Sequence, residues 1–215
     1  MKHQEAALVC FSGGQDSTTC LFWAKKHFSR VEAVCFTYGQ KHSLEIEVAR
    51  KNCSRCRRSV PIVGRIVDQP ARSELFADKY RHLNGSGKTG RQLPEHLRPG
   101  TQHGIPDLRR HPRTQQRIFH LVTGVSEADF SGYPDCRDTF VRSLNVTLNL
   151  AMDEQFVIHT PLMDRDKSEV WELSDTLGVF DLVRTQTLTC YNGIMAEGCG
   201  HCPACTLRRE GWRTI

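Results

Sequence analysis

Residues 6–20 read Ala-Ala-Leu-Val-Cys-Phe-Ser-Gly-Gly-Gln-Asp-Ser-Thr-Thr-Cys. The apolar run Ala6–Phe11 has the length and composition of a buried strand, and it breaks at Ser12-Gly13-Gly14. Asp16, Ser17 and Thr18 then offer helix-capping side chains, while Cys20, Leu21, Ala24 and Phe28 recur at helical spacing. The stretch is therefore a strand, a tight glycine turn and the start of a helix. Such a turn aims backbone N–H groups and the positive end of a helix dipole at one spot, where a phosphate sits well. An ordinary turn does not need two hydroxyls, a carboxylate and two glycines in six residues. The loop has no lysine, which separates it from the Gly-Lys-Ser/Thr ending of a Walker A loop.

Working outward, the next segments alternate in type. Val31–Tyr38 reads as a second strand, and Ser43 opens a helical pattern that runs to Arg50. Strand, helix, strand, helix at this spacing predicts a parallel sheet with crossover helices, in which ligands bind beyond the carboxyl ends of the strands. Further along, Leu121–Ser126 reads as a strand leading into a loop. Glu127–Asp138 then packs carboxylates, Arg137 and Tyr133 into twelve residues, in the pattern of either a polar surface loop or a substrate and magnesium site. A helix is expected over about 139–152, with Phe140, Leu144, Val146 and Leu148 to Leu150 as core candidates. A strand follows over Gln155–Pro161. A second helix opens at Asp166 and stops at Gly178, with Lys167 in its first turn within reach of a phosphate.

The chain has 215 residues, a length that predicts a single domain, residues 1–215. Hydrophobic residues make up 39% and the mean hydropathy is −0.45. Neither a membrane-spanning run nor a signal-peptide stretch is visible, so the cytoplasm is the expected compartment. There, ten cysteines point to metal binding or catalysis more than to disulfides. Cys190, Cys199, Cys202 and Cys205 have the spacing of a tetrahedral Zn²⁺ knuckle over 187–207, with Gly198 and Gly200 for the sharp turns. A closed four-cysteine shell makes the metal structural. A disulfide pair, free core thiols and an iron–sulfur cluster are the alternatives.

The net charge of +5 conceals an asymmetry. Residues 52–118 hold 14 Lys and Arg against 5 Asp and Glu, while the rest of the chain holds 15 against 19. A solvated loop and a nucleic-acid patch both fit such a segment. Two partial motifs within it, Cys53-x-x-Cys56 and Gly85-Ser-Gly-Lys-Thr89, lack the partners that would make a zinc site or a Walker loop.

Ser12-Gly-Gly-Gln-Asp-Ser17 resembles the pyrophosphate loop of the ATP pyrophosphatase superfamily. Tyr38–His42, Thr123–Asp138, Thr160–Met163 with Asp166-Lys167, and Leu188–Gly193 running into the cysteine knuckle Gly198–Cys205 narrow the likeness. Across residues 1–51 and 119–211 the chain resembles the 7-cyano-7-deazaguanine synthases. The resemblance implies an α/β fold: a parallel twisted sheet with helices on both faces, Rossmann-like, of the adenine nucleotide alpha hydrolase type, plus the zinc knuckle. It implies a carbon–nitrogen ligase that adenylates 7-carboxy-7-deazaguanine with ATP and Mg²⁺, takes up ammonia, and delivers a nitrile for queuosine synthesis. The ATP-binding stretch it implies is Phe11, Ser12, Gly13, Gly14, Gln15, Asp16, Ser17, Thr18, Thr19, Cys20 and Leu21. Asp16 and Lys167 are the expected catalytic residues. Glu127, Asp129, Tyr133, Asp135 and Arg137 are the expected substrate residues. A homodimer without membrane or nucleic-acid partner goes with it. The alternatives are an inactive remnant of such an enzyme and another adenylating enzyme of tRNA modification.

Residues 52–118 depart from that family, which carries a Phe-Val-Pro-Gly-Arg-Asn motif there. Glu95–His103 can nevertheless be back-translated so that the next reading frame spells Asn-Thr-Phe-Val-Pro-Gly-Arg-Asn. Asn52–Arg58 likewise hides a small-residue helix. The segment is therefore expected to be read out of frame between compensating single-nucleotide changes, with a second slip at Trp212–Ile215.

Overall fold

The computed structural model describes residues 3–36, 48, 51, 62–65, 118–128 and 133–213. Five strands form one parallel sheet: β1 (His3–Cys10), β2 (Phe28–Phe36), β3 (Ile62–Arg65), β4 (His120–Val122) and β5 (Val157–His159), in the order β3-β2-β1-β4-β5. The helices are α1 (Gln15–His27), α2 (Asp138–Met152), α3 (Lys167–Thr176), α4 (Phe180–Gln186) and α5 (Pro203–Arg213), with a 3-10 turn at Pro134–Cys136. Among the described residues no helix is long and apolar enough to cross a membrane.

Alternation along β1 sorts the core into two faces, as the two-residue period of a strand requires. Ala7 and Val9, with Phe11 just beyond, pack with Cys20, Leu21 and Ala24 of α1 and Val170 of α3. Leu8 faces the other way, onto Val34, Leu121 and Leu148 of α2. Helices thus cover both faces, the expected α/β architecture, and β1 is buried between them. Trp171, Phe180 and Trp212 form a separate aromatic group, with ring centroids 5.3–5.4 Å apart, that ties α5 to α3 and α4.

Several expectations shift. Strand β2 starts at Phe28, three residues before the expected Val31, because α1 passes into it with no intervening loop. Helix α1 starts at Gln15 with Gly14 as its N-cap, so Asp16, Ser17 and Thr18 lie inside the first turn instead of capping it. On α2, Val146 and Leu150 are exposed, not core. The inward positions beside them are held by Asn145 and Asn149. Asn145 accepts the Ile158 N–H and donates to the Phe156 carbonyl, and Asn149 accepts the Phe156 N–H. Helix α2 therefore pairs with the entry to β5 through amides, and its apolar pair turns outward. Expectations over 37–47 and 49–50 lie outside the described residues, as does most of 52–118. Within that segment the backbone of β3 pairs in parallel with β2 from Ala33↔Ile62 to Phe36↔Arg65.

Candidate functional site

The loop after β1 is fixed by its own polar groups. The Phe11 N–H prolongs the sheet by donating to the Val34 carbonyl at 2.9 Å. Ser17 Oγ donates to the Gly14 carbonyl at 3.3 Å and lies 3.1 Å from Ser12 Oγ, while the Ser12 N–H reaches Ser17 Oγ at 3.3 Å. Gly13 has φ +84°, a conformation that L side chains rarely adopt, and its carbonyl accepts the Leu188 N–H at 3.1 Å. Among the described residues the N–H groups of Asp16 and Ser17 have no acceptor. Two free donors at a helix start, beside exposed Ser12, make a place for an anion.

Gly124 belongs to this geometry. A Cβ there would lie 3.0 Å from the Asp16 carbonyl carbon and 3.1 Å from the Ser17 nitrogen. The loop leaving β4 can press against the first turn of α1 only because residue 124 lacks a side chain.

The structure brings Asp16 and Lys167 together. Lys167 Nζ donates to Asp16 Oδ1 at 2.8 Å and to Oδ2 at 2.9 Å. Lys167 is 7% exposed and sits in the first turn of α3. That turn is fixed by a capping box: Asp166 accepts the Glu169 N–H at 2.9 Å, and the Glu169 carboxylate accepts the Asp166 N–H at 2.9 Å. Bonds from the Ser168 hydroxyl and the Glu169 N–H hold the Asp166 carboxyl below the ordinary carboxylate range. From behind, Gly211 of α5 lies so close that a Cβ would come within 2.6 Å of the Lys167 carbonyl carbon.

The remaining loop residues divide by burial. Phe11, Cys20 and Leu21 are packed in the apolar core, where burial pushes the Cys20 thiol well up. Thr19 is buried against Ser174, with their hydroxyls 2.8 Å apart. The Gln15 amide and the Thr18 hydroxyl are buried without a partner among the described residues. Of this stretch, Ser12 is exposed and Gly14 and Asp16 are half-buried, with Gly13 and Ser17 buried between them.

The members of the other expected set have different surroundings. The Glu127 carboxylate accepts the Asp138 N–H at 3.0 Å and so caps α2. The Tyr133 phenol is pushed above its ordinary range by burial and by a hydrogen bond with Tyr191. Asp135 is half-buried in the 3-10 turn and Arg137 is exposed at the start of α2. Asp129 lies outside the described residues.

Tyr191 belongs to the cysteine segment. The four Sγ atoms of Cys190, Cys199, Cys202 and Cys205 lie within 4.8 Å of one another, and those of Cys199 and Cys205 are 3.9 Å apart. Tetrahedral sulfurs about a metal such as zinc are about 3.8 Å apart, so the donors fit a metal ion. The N–H groups of His201 and Cys202 bring the Cys199 thiol down to about 5, which favours the thiolate a metal needs. Gly198 has φ +71° and lies where any Cβ would run into Cys205 Sγ.

Sequence reasoning missed Gly124, Gly211, Thr189 and Arg208. Gly124 and Thr189 lie within the stretches Thr123–Asp138 and Leu188–Gly193 that carry the resemblance but were given no role, Gly211 carried no motif, and α5 was not foreseen. Thr189 Oγ1 accepts the Gln15 N–H at 3.1 Å, and buried Arg208 donates to Thr187 Oγ1, Thr189 Oγ1 and the carbonyls of Val183 and Arg184 at 2.8–2.9 Å. Residues 188–191 therefore touch the glycine turn on one side and Tyr133 on the other.

Residues 6–215 match the family model described as queuosine biosynthesis protein QueC. The chain is 69% identical over 218 residues to a 7-cyano-7-deazaguanine synthase of Parabacteroides distasonis, across 98% of this chain and 94% of that one. It is 55% identical over 207 residues to the synthase of Bacteroides fragilis, across 96% and 94% of the two chains. It is 49% identical over 210 residues to that of Staphylococcus haemolyticus, across 97% and 92%.

Proposed function

The chain belongs to the queuosine biosynthesis QueC family, and from that membership we propose the reaction it performs. It is an ATP-dependent ligase that turns 7-carboxy-7-deazaguanine and ammonia into 7-cyano-7-deazaguanine. The substrate carboxylate attacks the α-phosphorus of ATP, and pyrophosphate leaves. Ammonia displaces AMP from the acyl adenylate to give the amide. The amide oxygen is adenylated by a second ATP, and loss of AMP with the remaining amide protons leaves the nitrile.

One observation carries the reading: the glycine turn, with two helix N–H groups that lack an acceptor among the described residues, lies beside a Lys167–Asp16 pair buried on the lysine side. Ser12, Gly13, Gly14, Asp16 and Ser17 hold the phosphates. Lys167 would neutralise charge on the departing pyrophosphate, and Asp16 would hold the Mg²⁺ that screens the phosphates when ATP is bound. Positioning and charge stabilisation supply most of such a rate enhancement. Tyr133, Asp135 and Arg137, together with Glu127 and Asp129, serve the deazaguanine. Arg137, exposed at a helix start, suits the substrate carboxylate.

The four cysteines hold one structural Zn²⁺, because a closed thiolate shell leaves no position for substrate. The enzyme works in the cytoplasm as a homodimer. The exposed Val146 and Leu150, on the helix beside edge strand β5, favour a second copy as their cover.

Incubation of the purified chain with 7-carboxy-7-deazaguanine, ammonium and ATP·Mg²⁺ tests the proposal by mass spectrometry. Nitrile accompanied by two AMP per turnover is expected. AMP formation that ignores the deazaguanine carboxylate points instead to a different adenylating enzyme.

A further inference from the structure

Thr189 Oγ1 accepts two hydrogen bonds, from the Gln15 N–H at 3.1 Å and from Arg208 Nη1 at 2.9 Å. A hydroxyl has two acceptor lone pairs and one proton. With both lone pairs engaged by N–H donors, only the proton is left to act, and it has no acceptor among the described residues. The side chain is half-buried, and its oxygen lies 4.0 Å from where a Cβ on Gly14 would stand. The free proton is therefore available beside the glycine turn, at a helix start whose Asp16 and Ser17 N–H groups have no acceptor among the described residues.

Arg208 enforces this arrangement. It is 6% exposed, and its guanidinium lies over the Trp171 ring, 5.0 Å from the centroid. Among the described residues its hydrogen bonds run only to hydroxyls and carbonyls, and no carboxylate lies within ion-pair distance. A buried charge hydrogen-bonded only to neutral oxygens, with the carboxylates of Glu197 and Asp16 acting on it at longer range, keeps a desolvation penalty that a nearby anion relieves. The anion site of the glycine turn lies one hydroxyl away.

We propose that Thr189 is a further phosphate-binding residue of this site and that Arg208 is the positioning residue that fixes its hydroxyl as a donor. This rests on the reading that the turn holds ATP. It extends the phosphate cradle from residues 12–17 to the segment that leads into the first cysteine, Cys190. It also gives a role in binding to a buried cation that, among the described residues, has no carboxylate within ion-pair distance.

Three variants of the full chain test it: Thr189→Val, which keeps shape and removes the hydroxyl; Thr189→Ser, which restores it; and Arg208→Lys. Each is measured for KM of ATP in AMP formation, for inhibition by inorganic pyrophosphate, for binding of a non-hydrolysable ATP analogue, and for Tm. Loss of a hydrogen bond to a charged group predicts that Thr189→Val weakens ATP, analogue and pyrophosphate alike by about tenfold or more. Thr189→Ser should recover to within about twofold, and Arg208→Lys should weaken binding in the same direction. A Thr189→Val chain with lowered Tm but unchanged KM and analogue affinity has lost only packing, and overturns the proposal. Should Thr189→Val fail to fold, unchanged affinity in Arg208→Lys overturns it equally. A parent chain that forms no AMP sinks the proposed reaction, while the analogue measurement still decides the role of Thr189.

Discussion

Lys167 and Asp16 are 151 residues apart in sequence, and their ion pair, buried on the lysine side, closes the front of α1. Asp16 is a third exposed and stands in the first turn of α1, where the helix dipole favours its charge. Removing Lys167 therefore leaves a carboxylate that water and the helix partly stabilise. Removing Asp16 takes the carboxylate away from an ammonium that is only 7% exposed. Breaking a fully buried pair costs about 3–5 kcal/mol, and the exposure of Asp16 reduces this to about 1–3 kcal/mol for Lys167→Met. Asp16→Asn is expected to cost more than Lys167→Met, and the double variant less than the two costs added together. Thermal unfolding of the three variants checks that order. Turnover should follow another order: all three fall by about a hundredfold or more if, as proposed, the two charges serve pyrophosphate and metal. A double variant that regains stability without regaining nitrile formation separates the two roles.

At the scale of elements, the first fifteen residues quoted above were the most legible, because a buried strand, a glycine turn and a helix start leave unambiguous residue types in sequence. The cysteine segment was legible for a similar reason: sulfur ligands need fixed spacings. Helix α2 was legible as a helix but not in its orientation. Asn145 and Asn149 look like surface residues until β5 is known to present unpaired backbone groups to them. Helix α5 was missed, since its seat is a tertiary contact at Gly211 and at Trp212 that no local pattern records. Gly211→Ala should drive the two helices apart and cost about 1–3 kcal/mol, read as a fall in Tm. Helix α3 depends on its cap. Asp166→Ala is expected to cost about 1 kcal/mol and to slow turnover through misplaced Lys167. The Asp166 carboxyl is held below its ordinary value in the folded chain. Its contribution is therefore complete above the ordinary carboxylate range and lost as the pH falls through the depressed value. The gap in stability between parent and Asp166→Ala should be constant near neutrality and close in acid, which denaturant titrations across that range would show.

For the whole molecule, residues 188–208 act as a hub. They clasp the glycine turn through Leu188 and Thr189, reach Tyr133 through Tyr191, and carry Arg208 on α5. If the four cysteines hold a metal as proposed, stripping it with a chelator should accordingly raise the KM for ATP as well as lower Tm, although among the described residues none of these four cysteines hydrogen-bonds to the glycine turn. The opposite end of the sheet presents a different problem. Strand β3 closes that edge with four paired residues, inside a segment whose charge is unlike the rest of the chain. A parallel edge strand normally gains most of its stability from the crossover helices packed on it. If 52–118 is read out of frame, the frame-restored chain regains the small-residue helix and the Phe-Val-Pro-Gly-Arg-Asn turn around β3. It should then melt several degrees higher and turn over faster than the chain as it stands. Mismatches with the Parabacteroides distasonis relative should also gather inside the segment, with the flanks matching almost throughout. A peptide map of the native protein across 52–118, set beside Tm and turnover of both versions, decides between the two frames. Native peptides in the present frame, with equal stability in both versions, would establish the basic segment as a genuine part of the enzyme.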